Sequence, residues 1–140
     1  MTKELICIAC PRGCALNVTT DEAADTITVS GNSCPKGIEY GEQEIRFPMR
    51  TLTTTVACRF FSAETDKKNA GGQEFIRIPV KTGCEIPLKE MKPMISKIRG
   101  IVASSPIRYG DCLARLTVSN GSEIPIIACA STEDFLWKEE

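Results

Sequence analysis

The chain of 140 residues is electrically balanced, with 17 basic residues, 18 acidic residues and a formal net charge of −1. Because only 6% of the residues are aromatic and no basic excess exists, the composition excludes the electrostatic footprint of a nucleic-acid-binding protein. Histidine is absent, which excludes Ser-His-Asp triads, Cys-His nucleophile pairs and any metal site that needs an imidazole ligand.

The opening stretch MTKELICIAC does not have the pattern of a secretory signal peptide. It carries one lysine and lacks the apolar core of about seven or more residues that such a peptide needs. No run reaches the roughly 18 apolar residues that span a bilayer. We therefore expect a cytoplasmic protein without membrane insertion. Because cytosolic thiols are kept reduced, a disulfide framework among the eight cysteines is disfavoured.

The first third of the chain predicts a small Cys-rich lobe over residues 1–48. A short helix is expected over 36–46, weakened by Gly41 and ending before Pro48. Alternation of apolar and polar residues predicts three strands, over 3–8, 15–20 and 26–30.

The remainder, residues 49–140, is expected to form a β-rich domain with one main helix, with partner docking as its role. A polar, glycine-containing loop is predicted over 62–73, and Asn120-Gly121 is a hairpin turn signal. Strands are predicted over 50–61, 74–80, 113–118 and 123–130. The fold class is therefore α+β: a metal- or cluster-binding lobe followed by a β-rich domain.

The main helix of this domain is predicted over 87–99. Apolar residues recur there at spacings of three and four, and Gly100 is a plausible stop. Pro93 is compatible with a helix that begins near Lys89 or Glu90, because first-turn N–H groups have no intrahelical partner. The apolar positions are Leu88, Met91, Ile95 and Ile98.

Four cysteines near the N-terminus form the pattern C-x2-C-x3-C-x19-C-P, at Cys7, Cys10, Cys14 and Cys34. Three thiolates from one loop and a fourth from a distant point suit a four-iron cluster. Structural zinc sites with four cysteines usually use two paired C-x2-C knuckles, and the second pair is missing here. Zinc remains the alternative, as does a dithiol redox site at Cys7 and Cys10.

The stretches CIACPRGC and CPKG resemble the N-terminal cluster-binding segment of the molybdopterin-dependent oxidoreductases. The resemblance implies that Cys7, Cys10, Cys14 and Cys34 bind a [4Fe–4S] cluster and that Lys36 lies beside it. Arg12 is a second basic residue near the same cysteines. The chain after residue 48 is too short to bind a pterin, so molybdenum chemistry is not expected.

Most of the chain is similar to domain-of-unknown-function family 1667, through the cysteine pattern CxxCPxGC…CxxG and the stretches RTLTTTV, IPVKT, IPLKE and SPIRYGD. This resemblance implies an accessory electron-transfer subunit that serves a flavin-dependent dehydrogenase. Such a subunit transfers electrons and performs no bond chemistry itself. The alternatives are a zinc-stabilised scaffold subunit without a redox role and a dithiol redox protein.

The spacing of the four further cysteines does not match that of known metal ligands. Cys58 and Cys129 lie in apolar strands and are predicted to be core residues, because free cysteine behaves as a small hydrophobe. Cys84 and Cys112 are predicted in loops. The apolar tail 135–137 is expected to pack on its own domain, with a partner interface as the alternative.

Overall fold

The described part of the protein is a strand-rich α and β structure with two α-helices. The computed structural model describes residues 1–60 and 74–135 and divides into two units, Met1–Met49 and Arg50–Glu140. This division lies one residue from the boundary predicted at 48/49. The predicted loop 62–73 and the tail residues 136 and 137 lie outside the described residues.

The first unit is an antiparallel three-stranded sheet, in the order β1-β2-β3, with one helix packed on it. The strands pair with Leu5 opposite Leu16 and Val18 opposite Val29. The elements are β1 (Thr2–Ile6), β2 (Ala15–Asp21), β3 (Thr26–Ser30) and α1 (Pro35–Arg46). Strand β1 ends two residues earlier than predicted, because the chain turns there into the loop that carries the first cysteines.

Helix α1 approaches the sheet closely at a glycine. Gly41 is buried, and a Cβ atom at this position would lie 2.9 Å from Cγ2 of Val29 and 3.3 Å from Cγ2 of Val18. The absence of a side chain therefore lets the helix backbone pack directly on β2 and β3. The residue that weakens the helix in sequence is needed for the packing of the unit.

The second unit contains a five-stranded sheet and one α-helix. Its elements are β5 (Thr53–Phe60), β6 (Glu74–Thr82), β7 (Ile86–Pro87), α2 (Met91–Arg99), β8 (Val102–Ser104), β9 (Cys112–Thr117) and β10 (Glu123–Ala128), and the short strand β4 (Met49–Arg50) lies at the division between the units. The strand order of the five-stranded sheet is β8-β5-β6-β10-β9. Strand β8 runs parallel to β5, and the other neighbours are antiparallel. Two 3₁₀ turns complete the unit, over Leu88–Glu90 and Thr132–Phe135.

One face of this sheet forms the core with α2. Val56, Ile78 and Ile126 are buried in one cluster with Met94 and Ile98 of the helix. Met91 and Ile95 are partly buried against this cluster, so the spacing of apolar residues correctly predicted the buried face.

The start of the predicted helix 87–99 differs from expectation. Leu88 lies in the 3₁₀ turn and is 48% exposed, because the turn precedes the α-helix that packs on the sheet. The α-helix proper begins at Met91, which places Pro93 in its first turn, where a missing N–H is tolerated.

Within residues 1–60 and 74–135, no helix is long and apolar enough to cross a membrane.

Candidate functional site

The cysteine loop, residues 7–14, joins β1 to β2 at one end of the first sheet. Its base is closed by a hydrogen bond in which the Cys7 N–H donates to the Cys14 carbonyl, at 2.8 Å. Gly13 has a φ of +65°, the left-handed conformation that glycine adopts without strain. The loop is therefore a narrow connection between two paired strands, with the first and last cysteine side by side at its base.

The three cysteines of this loop differ in exposure. Cys7 is buried in one apolar cluster with Leu16 and Val18, and Cys14 packs against that cluster. Cys10 is exposed. The structure thus brings Cys7 and Cys14 together on the sheet and leaves Cys10 at the outer part of the loop.

The fourth cysteine lies at the start of α1. Cys34 is exposed and is the N-cap residue of α1, where its carbonyl accepts hydrogen bonds from the Gly37 N–H and from Nδ2 of Asn32, both at 3.1 Å. Just before this segment, a Cβ atom at Gly31 would lie 2.2 Å from the Ala15 carbonyl oxygen. This close approach brings the segment that leads to Cys34 against the end of the cysteine loop.

Ser33 makes the direct contact between the two segments. Sγ of Cys14 lies 3.3 Å from Oγ of Ser33, the residue that precedes Cys34. The hydrogen bond from Ser33 is the largest cause of a lowered pKa at the Cys14 thiol, and the positive charge of Arg12 lowers that pKa further. Reasoning from sequence missed Ser33, although its position beside Cys34 in NSCPKG was a signal that could have been used.

The two basic residues predicted beside the site are both exposed. Arg12 lies in the cysteine loop and acts electrostatically on Cys14. Lys36 lies in the first turn of α1, two residues after Cys34. The end of the first unit that carries the four cysteines therefore also carries two cations.

The thiols are not arranged as a finished metal site. All four cysteines are free, and within the described parts of the chain no group of three or more Cys, Asp or Glu side chains is placed to hold a metal ion. A pocket of about 360 Å³ lies beside the loop on β1 and β2, and its lining contains no cysteine: Glu4, Leu5, Ile6, Ala15, Leu16 and Asn17. The backbone thus brings Cys7 and Cys14 together and places Ser33, the residue before Cys34, against Cys14. Ligation by all four thiols needs the exposed side chains of Cys10 and Cys34 to turn toward the other two.

The other four cysteines lie in the second unit. Cys58 is fully buried, as predicted, and burial raises the pKa of its thiol. Cys129 is only partly buried, since it follows the end of β10. Cys84 and Cys112 are exposed, and Cys112 begins strand β9, although a loop was predicted there.

The fold and the site define a class of protein with two strand-rich units. The smaller unit carries four cysteines, three of them in a loop and the fourth at the start of a helix. The sequence pattern of a family described as protein of unknown function (DUF1667) matches residues 35–129. This match covers more than half of the chain, and the chain belongs to that family. It begins directly after Cys34, so α1 and most of the second unit are matched and the four cysteines are not. Neither the curated proteins nor the solved structures gave a match to the chain.

Proposed function

We propose that the chain is an electron-transfer protein or accessory subunit that binds a [4Fe–4S] cluster through Cys7, Cys10, Cys14 and Cys34. The observation that carries the proposal is the 3.3 Å contact between Cys14 and Ser33, which brings the loop with three cysteines next to the fourth. The donor set also fits, because four free thiols and no histidine suit an iron–sulfur cluster.

The surroundings of the site suit an anionic group. Cys34 lies at the N-terminus of a helix of 12 residues, where the helix dipole favours negative charge. Arg12 and Lys36 add positive charge at the same end of the unit. When bound, the cluster supplies one-electron redox chemistry, and cations nearby raise its potential by stabilising the more negative reduced state.

The chain's own residues have three roles in this proposal. The four thiolates would hold the iron–sulfur cluster, and the apolar residues packed around Cys7 would limit the access of water to that thiolate. Ser33 donates a hydrogen bond to the Cys14 sulfur once that thiol is ionised. The partner is a flavin-dependent dehydrogenase, which rests on the family resemblance recognised in the sequence.

Anaerobic purification and reconstitution test the cofactor. About four irons with matching sulfide, and a visible absorption that reductant bleaches, are expected. A colourless protein that contains one zinc ion after reconstitution without oxygen would contradict the proposed [4Fe–4S] cluster and support the zinc-stabilised scaffold. A colourless protein without metal whose Cys7 and Cys10 cycle between dithiol and disulfide would support the dithiol alternative.

A matched pair of variants tests the ligand assignment. Cys34→Ser removes a proposed ligand, so cluster retention should be lost. Cys84→Ser removes an exposed cysteine of the second unit and should leave iron and sulfide unchanged. Full iron content in Cys34→Ser would show that the assignment is wrong.

The proposed partner is tested with protein that has been reconstituted with iron and sulfide without oxygen. A flavin-dependent dehydrogenase that copurifies with the chain should bleach the cluster absorption when its own substrate is added without oxygen. Bleaching by dithionite but not by such a reduced flavoprotein would contradict the proposed partner while leaving the cluster intact.

A further inference from the structure

The five-stranded sheet of the second unit has one covered face and one open face. Val56, Ile78 and Ile126 point into the core, and the residues that alternate with them point the other way. We define the open face by the outward positions of its strands: Thr53, Thr55, Ala57, Arg59, Phe75, Arg77, Pro79, Lys81, Val102, Ser104, Cys112, Arg115, Thr117, Glu123, Pro125 and Ile127.

The open face has an exposed apolar centre. Phe75 is 55% exposed and pairs with Arg59, while Val102 is 50% exposed and pairs with Ala57. The two apolar side chains therefore flank β5 from its two neighbouring strands. Exposed apolar side chains can serve as interaction sites, because burying them in a partner is favourable.

The same face carries several cations in addition to this apolar centre. Arg59, Arg77, Lys81 and Arg115 are all exposed and lie on the open face. On the described strands the same face carries one carboxylate, Glu123, at the start of β10. Since the whole chain has a net charge of −1, this excess of positive charge belongs to the face itself and not to the protein as a whole.

Charged neighbours do not neutralise these cations within the described part of the chain. The Arg77 guanidinium donates to the hydroxyl and the carbonyl of Thr55, at 2.8 and 3.1 Å, and both acceptors are uncharged. The ion pair found there joins Arg46 and Asp25 of the first unit. Arg77 is therefore held flat against β5 with its positive charge available to a partner.

We propose that the open face is the docking surface for a partner protein whose contact region has an apolar centre and a rim of Asp and Glu. Complementary charge steers association and fixes orientation, and the apolar centre supplies affinity. Nucleic acid fits less well, because Phe75 is the one aromatic residue on the described strands of this face. The inference deepens the proposed function, and rests on it for the existence of a protein partner.

Titration of the full chain with a defined probe tests the surface. The probe is a glutamate-rich peptide with two leucines at its centre, and the readout is the set of amide shifts in NMR spectra of ¹⁵N-labelled protein. Shifts at the outward positions of β5, β6 and β9 are expected, and they should become smaller near 1 M salt, where the Debye length is about 3 Å and the charge contribution is screened. Absence of shifts on this face, or equal binding of oligothymidylate, would overturn the proposal.

Charge reversal gives the matched comparison. The double variant Lys81→Glu with Arg115→Glu should lower the affinity for the peptide by about tenfold or more, because it replaces attraction by repulsion at two positions. Lys92→Glu reverses an exposed charge on α2, on the covered side of the sheet, and should bind like the parent. An equal loss of peptide affinity in the double variant and in Lys92→Glu would overturn the assignment of the docking surface.

Zero-length carbodiimide cross-linking then examines the natural partner in an anaerobic extract. A cross-link from Lys81 to an Asp or Glu of another protein supports the proposal, and cross-links confined to Lys92 overturn it. Iron and sulfide are measured in the same samples. If the iron–sulfur cluster is present and docking is lost, the proposed docking surface is wrong. If docking occurs and no cluster is present, the proposed cofactor is wrong.

Discussion

Sγ of Cys14 lies 3.3 Å from Oγ of Ser33, and this contact joins the cysteine loop to the segment that leads into α1. It also lowers the pKa of the Cys14 thiol, since a hydroxyl that donates to sulfur stabilises the thiolate. One hydrogen bond thus connects the tertiary structure of the first unit to the chemistry of its thiols.

Ser33→Ala should slow the alkylation of Cys14 at neutral pH. Removing the hydroxyl removes the largest cause of the lowered pKa, so the pKa rises and a smaller fraction of the thiol is ionised at a given pH. Iodoacetamide labelling of the metal-free protein, followed by peptide mass spectrometry across a pH series, measures the shift. Cys10 in the same loop is the internal control, and an unchanged pH profile for labelling of Cys14 would contradict the role of Ser33.

Gly41→Ala should destabilise the first unit, although alanine is the better helix former. The helix gains about 1 kcal/mol of propensity, but overpacking against Val29 costs about 1–3 kcal/mol. A net loss of up to about 2 kcal/mol is expected in urea unfolding. Adding Val29→Ala should recover part of the loss, because it removes the methyl groups that the new Cβ meets. A more stable Gly41→Ala variant would show that helix and sheet separate easily.

Thr82→Val should destabilise the second unit by about 1–3 kcal/mol, because it leaves a buried donor without its acceptor. The Thr82 hydroxyl oxygen accepts a hydrogen bond from the Leu52 N–H at 3.1 Å, and both residues are buried. The control is Thr53→Val at an exposed position of β5, where a change within about 0.5 kcal/mol is expected. Equal unfolding midpoints for the two variants would contradict this account.

Cys58 should resist alkylation in the folded protein at neutral pH, while Cys84 reacts at once. Cys58 is fully buried, and burial raises the pKa of its thiol, so little thiolate forms and reagent has no access. Cys84 is exposed. Labelling with increasing urea should release Cys58 together with the loss of secondary structure. Rapid labelling of Cys58 without denaturant would show that the core opens locally.

Local pattern was sufficient for most elements. The strand at 26–30 agrees with its prediction residue for residue, because Ile27 and Val29 alternate with polar neighbours on a half-buried sheet. Strand β8 was missed, since Val102–Ser104 has only three residues and pairs in parallel with a strand far away in the chain. Pairing of that kind depends on the path of α2, which a local pattern does not contain.

The cysteine spacing by itself selected Cys7, Cys10, Cys14 and Cys34 as a set, and the missing histidines narrowed the chemistry that this set can support. Only the tertiary structure decided how they lie: Cys7 against the sheet, Cys10 outward and Cys34 at the start of a helix. The open basic face of the second unit was also invisible in the sequence, because its cations lie on three strands that are distant along the chain. Spacing determines which residues can act together, and the pairing of strands determines which of them share a surface.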